Sequence, residues 1–190
     1  MLRRETVKGG VGKIYEYTGE GLSCLSIYDQ STITNMGAEM GATTSVFPSD
    51  EVVHQFFINQ QREEDWIELL PDEDATYDEE IIINLNKLTP LVAQPDMPDN
   101  VIAIKDLPTQ VKIDQVFIGS CTNASYTDLA KAAAILKGHT VHPDVSLVVA
   151  AGSRQIFSMA LRDGIISTLV DAGARILECG CGPCVGIGQA

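Results

Sequence analysis

Between Gln115 and Leu177, short apolar runs alternate with longer stretches of helical period. That alternation limits what the chain can fold into more than any other feature. Gln115-Val116-Phe117-Ile118 reads as a buried strand ending at Gly119. Leu129, Ala132, Ala133 and Leu136 recur at helical spacing from Asp128 onward, and Gly138 ends that helix. Ser146 to Ala151 is a second strand. Arg154 to Leu161 and Ile165 to Val170 are helical and divided at Gly164, and Ala174 to Leu177 is a third strand. Strand–helix–strand–helix–strand predicts a parallel, doubly wound sheet. Such sheets carry their ligands just past the carboxyl ends of the strands. Cys121 falls just past the first strand, and Cys181 and Cys184 fall just past the third.

The first half is less regular. Residues 6–18 open with glycines and then alternate as a strand does. Ile27, Ile33, Met36 and Met40 suit one helix from Ser26 to Met40, closed by Gly41. Thr43 to Phe47 is a short strand stopped by Pro48, and Ser49 with Asp50 and Glu51 caps a further helix. Residues 71–80 are acidic and lack an apolar period, so they read as a loop, and Ile81 to Leu85 reads as a strand. Pro90, Pro95 and Pro98 make the next stretch extended and irregular. The expected division is therefore a first α/β lobe over 1–88, an extended linker over 89–108 and a second α/β lobe over 109–190.

Composition removes some functions. The chain has 190 residues and a net charge of −13. Nucleic-acid affinity comes largely from Lys and Arg neutralising phosphates, so this balance argues against a nucleic-acid partner. No apolar run approaches the roughly 20 residues of a membrane span. Arg3 and Arg4 are not followed by the apolar stretch of a signal peptide, so a cytoplasmic location is expected. The acidic residues between Glu63 and Glu80 read as a solvated face or linker.

Five cysteines, three of them crowded near the C-terminus, do not make a disulfide framework. One cysteine plus a Cys-x-x-Cys pair suits a three-legged mount for an iron–sulfur cluster. A four-iron cluster usually takes four thiolates, so three would leave one iron open to act as a Lewis acid. Two other readings stay open on spacing alone. Cys181-Gly-Pro-Cys184 suits a redox dithiol, or half of a zinc site needing further ligands. His139 and His142 lie three apart in a loop and read as surface residues. Cys24 and Cys179 read as incidental thiols of the kind that behave as small buried apolar residues. Ser120, Thr122 and Asn123 are small polar neighbours able to hydrogen-bond a thiolate.

At these residues the chain resembles the aconitase family. Ile118-Gly-Ser-Cys-Thr-Asn-Ala-Ser125 is similar to the first cluster signature of that family, and Gly180-Cys-Gly-Pro-Cys-Val-Gly186 to the second. Thr34-Asn-Met-Gly-Ala-Glu-Met-Gly-Ala-Thr-Thr-Ser45 matches a family helix that faces the cluster. The motifs stand in the family's order, and the resemblance covers nearly the whole chain. It implies a three-layer α/β/α fold with mostly parallel sheets, in two lobes of which the second is incomplete. It implies a [4Fe–4S] cluster held by Cys121, Cys181 and Cys184. It makes Glu39 a catalytic glutamate of the acid–base network and Asn35 an asparagine near the cluster. Residue types alone would read both as a solvated helix face.

The implied reaction is the reversible dehydration–rehydration of citrate to isocitrate, an aconitate hydratase of the tricarboxylic acid cycle. Its partners would be a small tricarboxylic acid and the remaining lobes of a longer parent chain. The matching stretch lacks the family's other catalytic groups, so this piece is expected to be inactive by itself. The alternatives are a 3-isopropylmalate dehydratase or homoaconitase relative, a dithiol redox or zinc module, and a non-catalytic domain on the same fold. Gly41-Ala-Thr-Thr-Ser45 and Cys-Gly-Pro-Cys favour the citrate reading by the resemblance. One departure is Ala151, where the family often has proline before the Gly-Ser that matches Gly152-Ser153.

Overall fold

A computed structural model describes residues 1–108 and 111–187. The chain divides into two compact units, Met1–Pro108 and Thr109–Ala190. The ends of the expected second lobe, 109–110 and 188–190, lie outside the described residues.

The first unit contains α1 (Leu2–Glu5), β1 (Ile14–Glu16), α2 (Ile27–Met36), β2 (Thr44–Val46), α3 (Glu51–Asn59), β3 (Leu91–Ala93) and β4 (Val101–Ala103). β1 and β2 pair in parallel, with Tyr15 opposite Ser45. A reciprocal cap starts α2. The Ser26 hydroxyl accepts the Asp29 N–H at 3.3 Å, and the Asp29 carboxylate accepts the Ser26 N–H at 2.9 Å. The expected helix to Met40 is cut short at Gly37. A Cβ there would collide with the Ser45 hydroxyl, so only glycine lets α2 lie this close to β2. A 3-10 turn over Ala38–Met40 then drives Met40 into the core at 1% exposure, and Gly41 stops it at φ 72°.

Three further expectations change in this unit. Asp50, not Ser49, caps α3, accepting the Val52 N–H at 2.9 Å. Ser49 instead pairs with Leu69, and its hydroxyl donates to the Ile67 carbonyl at 2.7 Å. Ile81 to Leu85 forms no strand, and Ile82 stands 78% exposed. An apolar run becomes a strand only with a partner ladder, and none is present among the described residues. Residues 89–108 are not merely extended. β3 and β4 pair antiparallel there, with Leu91 opposite Ala103, and the Asp99 carboxylate accepts the Val7 N–H at 3.0 Å. The prolines fall outside the ladder, just before β3 and in the connection to β4, where a missing N–H costs nothing.

The second unit contains β5 (Gln115–Ile118), α4 (Tyr126–Leu136), β6 (Ser146–Ala150), α5 (Arg154–Arg162), α6 (Ile165–Asp171) and β7 (Arg175–Leu177). Its strands are parallel in the order β5-β6-β7, with Phe117 opposite Val148 and Val149 opposite Ile176. With its mostly parallel sheets the chain is an α/β protein, as the alternation predicts. The strand order explains the layering. Both crossovers step the same way along the sheet, and right-handed connections then put their helices on one face. Leu147, Val149 and Ala151 point to that face and pack with Leu129, Ala133, Ala160, Ile166 and Leu169. The described residues of this unit thus make two layers, sheet and helices. α4 begins earlier than the apolar period suggests because Ser125, not Asp128, is its cap. Asp128 closes the box three residues on.

Among the described residues, Gln30 is one of several buried polar side chains of the first unit left without a partner. Gln30 on α2 is 3% exposed, and neither its amide nitrogen nor its amide oxygen has a hydrogen bond among the described residues. A buried unsatisfied polar group costs about 1–3 kcal/mol. Gln30→Met keeps the chain length and removes the amide. It should raise the stability of the first unit by roughly 1 kcal/mol or more in urea unfolding. A fall in the midpoint would show that the amide is satisfied.

Candidate functional site

Two loops at one edge of the β5-β6-β7 sheet carry the candidate cysteines. Parallel strands all end at the same edge, so the turns after β5 and β7 share it. β6 lies between them, and the length of that strand separates this edge from the loop leading into β6.

The turn after β5 is closely defined. A Cβ on Gly119 would stand 2.6 Å from the Phe117 ring and 3.0 Å from the Ala150 carbonyl oxygen, so the strand leaves the sheet through a position only glycine fits. Ser120 follows at φ 73°, a left-handed conformation that side chains resist, and it is 9% exposed. These two residues turn the chain so that Cys121 emerges on the surface. Its sulfur lies 3.9 Å from the Ser120 hydroxyl and 3.6 Å from the Thr122 hydroxyl. The Gly152 N–H donates to the Ala124 carbonyl at 3.0 Å, tying this loop to the one leaving β6. That bond closes the turn at Ala151-Gly152 where the family often uses proline. Ser153 then caps α5 by accepting the Ile156 N–H at 3.1 Å.

The turn after β7 is a 3-10 segment over Gly182–Val185. The Cys184 N–H donates to the Cys181 carbonyl at 2.9 Å, which places the two cysteines on one turn. Gly182 between them has φ 44°, and Gly186 ends the turn at φ 74°. Both thiols are exposed.

The three cysteines occupy one sheet edge, none is in a disulfide, all are exposed, and hydroxyl groups flank the Cys121 sulfur. The donor set fits an iron–sulfur cluster, whose irons take thiolate ligands. The turns do not converge, however. Among the described residues, no three His, Cys, Asp or Glu side chains stand close enough to hold a metal ion.

The alternatives fare differently. His139 and His142 lie in the loop that enters β6, at the opposite edge from the thiols. A zinc site drawing on both sets is ruled out by that topology. For a redox dithiol, Cys181 stands at the N-cap of a one-turn 3-10 segment, not of the α-helix that commonly activates such a pair. Cys24 and Cys179 are exposed, which overturns their reading as buried apolar residues. Cys24 ends a surface 3-10 turn, and Cys179 lies in the bend after β7.

Asn35 and Glu39 lie in the first unit. Asn35 is half-buried in the last turn of α2, and Glu39 is exposed in the 3-10 turn that follows. The break at Gly37 means they do not share one continuous helix face. Glu39 is bracketed by Gly37 and Gly41, so its backbone is held while its carboxylate stays in solvent. The left-handed Ser120 was missed by reading residue types. The only available signal was a small polar residue squeezed between Gly119 and a turn.

The sequence matches the model of the Aconitase family (aconitate hydratase) over residues 1–111 and 106–190. It is 44% identical over 180 residues to 3-isopropylmalate dehydratase large subunit 1 of Thermotoga maritima, covering 94% of this chain and 43% of the relative. It is 40% identical to large subunit 2 of Rubrobacter xylanophilus, covering 95% and 42%. It is 43% identical to the large subunit of Moorella thermoacetica, covering 97% and 44%. The chain thus spans less than half the length of these relatives. The relatives' names favour the 3-isopropylmalate alternative over citrate. The Cys-Gly-Pro-Cys signature and the stretch after Met40 therefore do not decide between the two, and placement in the tricarboxylic acid cycle loses its basis. From the family match over the whole sequence and from relatives this similar, the chain belongs to the aconitase family.

Proposed function

We propose that the chain is the thiolate-bearing part of an aconitase-family hydro-lyase, and that the whole enzyme is a dehydratase acting on 3-isopropylmalate or a closely similar hydroxy dicarboxylate. The observation that carries this reading is identity of 40% or more, over nearly the full chain, to relatives named 3-isopropylmalate dehydratase large subunit. Their designation as large subunits puts a second subunit among the partners. It stands beside the remaining lobes of the longer chain.

In this reading Cys121, Cys181 and Cys184 hold a [4Fe–4S] cluster. When bound, the cluster supplies Lewis-acid assistance to departure of the substrate hydroxyl. The protein's own residues do the rest. Ser120 and Thr122 orient the Cys121 thiolate through their hydroxyls. Gly119 and the left-handed Ser120 hold that loop in place before any ligand arrives. Glu39 holds or moves a proton at its carboxylate, which its exposed position leaves open to a substrate. Asn35 contributes a neutral amide for orienting a polar group. Dehydration needs an acid–base group, charge stabilisation and substrate clamps acting together, and this chain supplies only part of that set.

Two measurements test this. In the whole protein, anaerobic reconstitution should load iron and sulfide. Ser at position 121, 181 or 184 should lower iron content sharply, and Ser at 24 or 179 should not. Equal losses at all five positions would end the ligand assignment. The whole enzyme should also turn over 3-isopropylmalate with kcat/KM at least about tenfold above that for citrate, a margin of roughly 1.4 kcal/mol in the barrier. Glu39→Gln should lower kcat by roughly 10²-fold or more while keeping its iron. Preference for citrate would restore the aconitate hydratase reading.

A further inference from the structure

We propose that Cys179 is a resolving thiol: in the iron-free protein it captures the oxidised sulfur of Cys181 in a reversible disulfide and so keeps that ligand from irreversible oxidation. The inference rests on the assignment of Cys181 and Cys184 as cluster ligands, and it gives a role to a thiol that the ligand set does not use.

Cys179 is not a lone cysteine. Three thiols fall within the six residues Cys179–Cys184, and each is free and exposed. A cluster mount takes two of them. The third stands in solvent rather than in the core, in the bend that joins β7 to the cysteine turn.

Reach favours a bond between Cys179 and Cys181. Only Gly180 separates them. Two residues of fully extended chain span at most about 7 Å, and a disulfide joins Cα atoms roughly 4.4–6.8 Å apart. The chain bends over residues 179–181, which brings the two cysteines closer than full extension. Gly180 is also free to adjust. A Cβ there would meet nothing within 4 Å, and glycine has the widest choice of backbone conformation. Among the described residues, no backbone hydrogen bond holds Cys179 or Gly180. The rival bond, Cys181 to Cys184, lies in a turn that is already fixed. The Cys184 N–H donates to the Cys181 carbonyl at 2.9 Å, and the Ile187 N–H donates to the Gly182 carbonyl at 3.1 Å. Pro183 fixes φ between the two cysteines. Drawing those two sulfurs together disturbs the turn, whereas drawing Cys179 to Cys181 disturbs only a bend.

The chemistry balances with hydrogen peroxide as the oxidant. The Cys181 sulfur attacks one peroxide oxygen and loses its proton. The O–O bond breaks, leaving a sulfenic acid on Cys181 and releasing water. The Cys179 sulfur then attacks the Cys181 sulfur and the S–O bond breaks. The sulfenic oxygen leaves as a second water, which carries the Cys179 proton. The two thiols have lost a pair of electrons and the peroxide has gained it. Without a resolving thiol, the sulfenic acid meets a second peroxide and becomes a sulfinic acid, which thiol reductants do not reverse. Exposed, strained disulfides are the labile ones, so a dithiol reductant returns both cysteines. The step protects a ligand and does not catalyse thiol exchange.

The experiment uses the whole protein, stripped of iron with a chelator and fully reduced. Anaerobic reconstitution of this material tests the ligand set by itself and should load the parent and Cys179→Ser equally. Brief treatment of the iron-free protein with hydrogen peroxide should then remove two hydrogens from the peptide that follows Arg175. Alkylation should mark Cys184 there and leave Cys179 and Cys181 unmarked. After dithiothreitol the parent should regain its iron uptake. Cys179→Ser should carry roughly threefold or more sulfinic acid at Cys181 than the parent, and lose iron uptake to match. Cys24→Ser should behave as the parent does. Alkylation of Cys179, with the disulfide between Cys181 and Cys184, would overturn the proposal. So would equal sulfinic acid and equal recovery in the parent and Cys179→Ser. If reduced protein takes up no iron, the ligand assignment falls and the protective role falls with it, whereas normal loading with Cys179 left free after peroxide overturns the resolving thiol alone.

Discussion

The second unit depends on the burial of β6. Val148, Val149 and Ala150 are at most 1% exposed, and β6 pairs with a parallel strand on each side. A strand this apolar is stable only when both ladders and both faces are filled. The register is fixed by the packing of Leu147 and Val149 against the helices, because a slip of one residue would turn them to the other face. From that fixed register the rest follows. The turns after β5 and β7 are held at one edge, and the loop entering β6 is held at the other. The distribution of thiols and histidines between the two edges is a consequence of the sheet, not of the loops.

Much of this unit was legible because its helices and strands differ in period and are separated by glycine. β5 coincides with the apolar run read from the sequence, and Gly164 divides α5 from α6 with φ 75°. The first unit was less legible because its short elements are set by tertiary contact. Gly37 looks like an ordinary helix residue until Ser45 is found against it. Ile81 to Leu85 has the composition of a strand, but a strand needs a partner, and partnership is not written in a five-residue window. The hairpin of β3 and β4 was hidden by prolines that lie beside its ladder rather than in it.

The site divides the same way. Its cysteines announce themselves by spacing, and the parallel fold explains how residues sixty positions apart reach one edge. What spacing does not carry is substrate choice. Motifs that hold a prosthetic group are set by that group's chemistry, whereas groups that recognise a substrate side chain lie wherever the pocket wall falls. The similarity to 3-isopropylmalate dehydratases spreads over nearly the whole chain, so it supports the proposed substrate more than a four-residue signature can.

The strand order also sets a sequence in time. β7 is the last strand of the three to leave the ribosome, and the turn bearing Cys181 and Cys184 follows it immediately. Until β7 pairs with β6, that turn has no fixed place, while Cys121 is already exposed at the end of β5. A group that needs all three thiols is therefore acquired after the sheet is complete. During synthesis the earliest thiol waits longest, and it is the one most open to oxidation before its partners arrive.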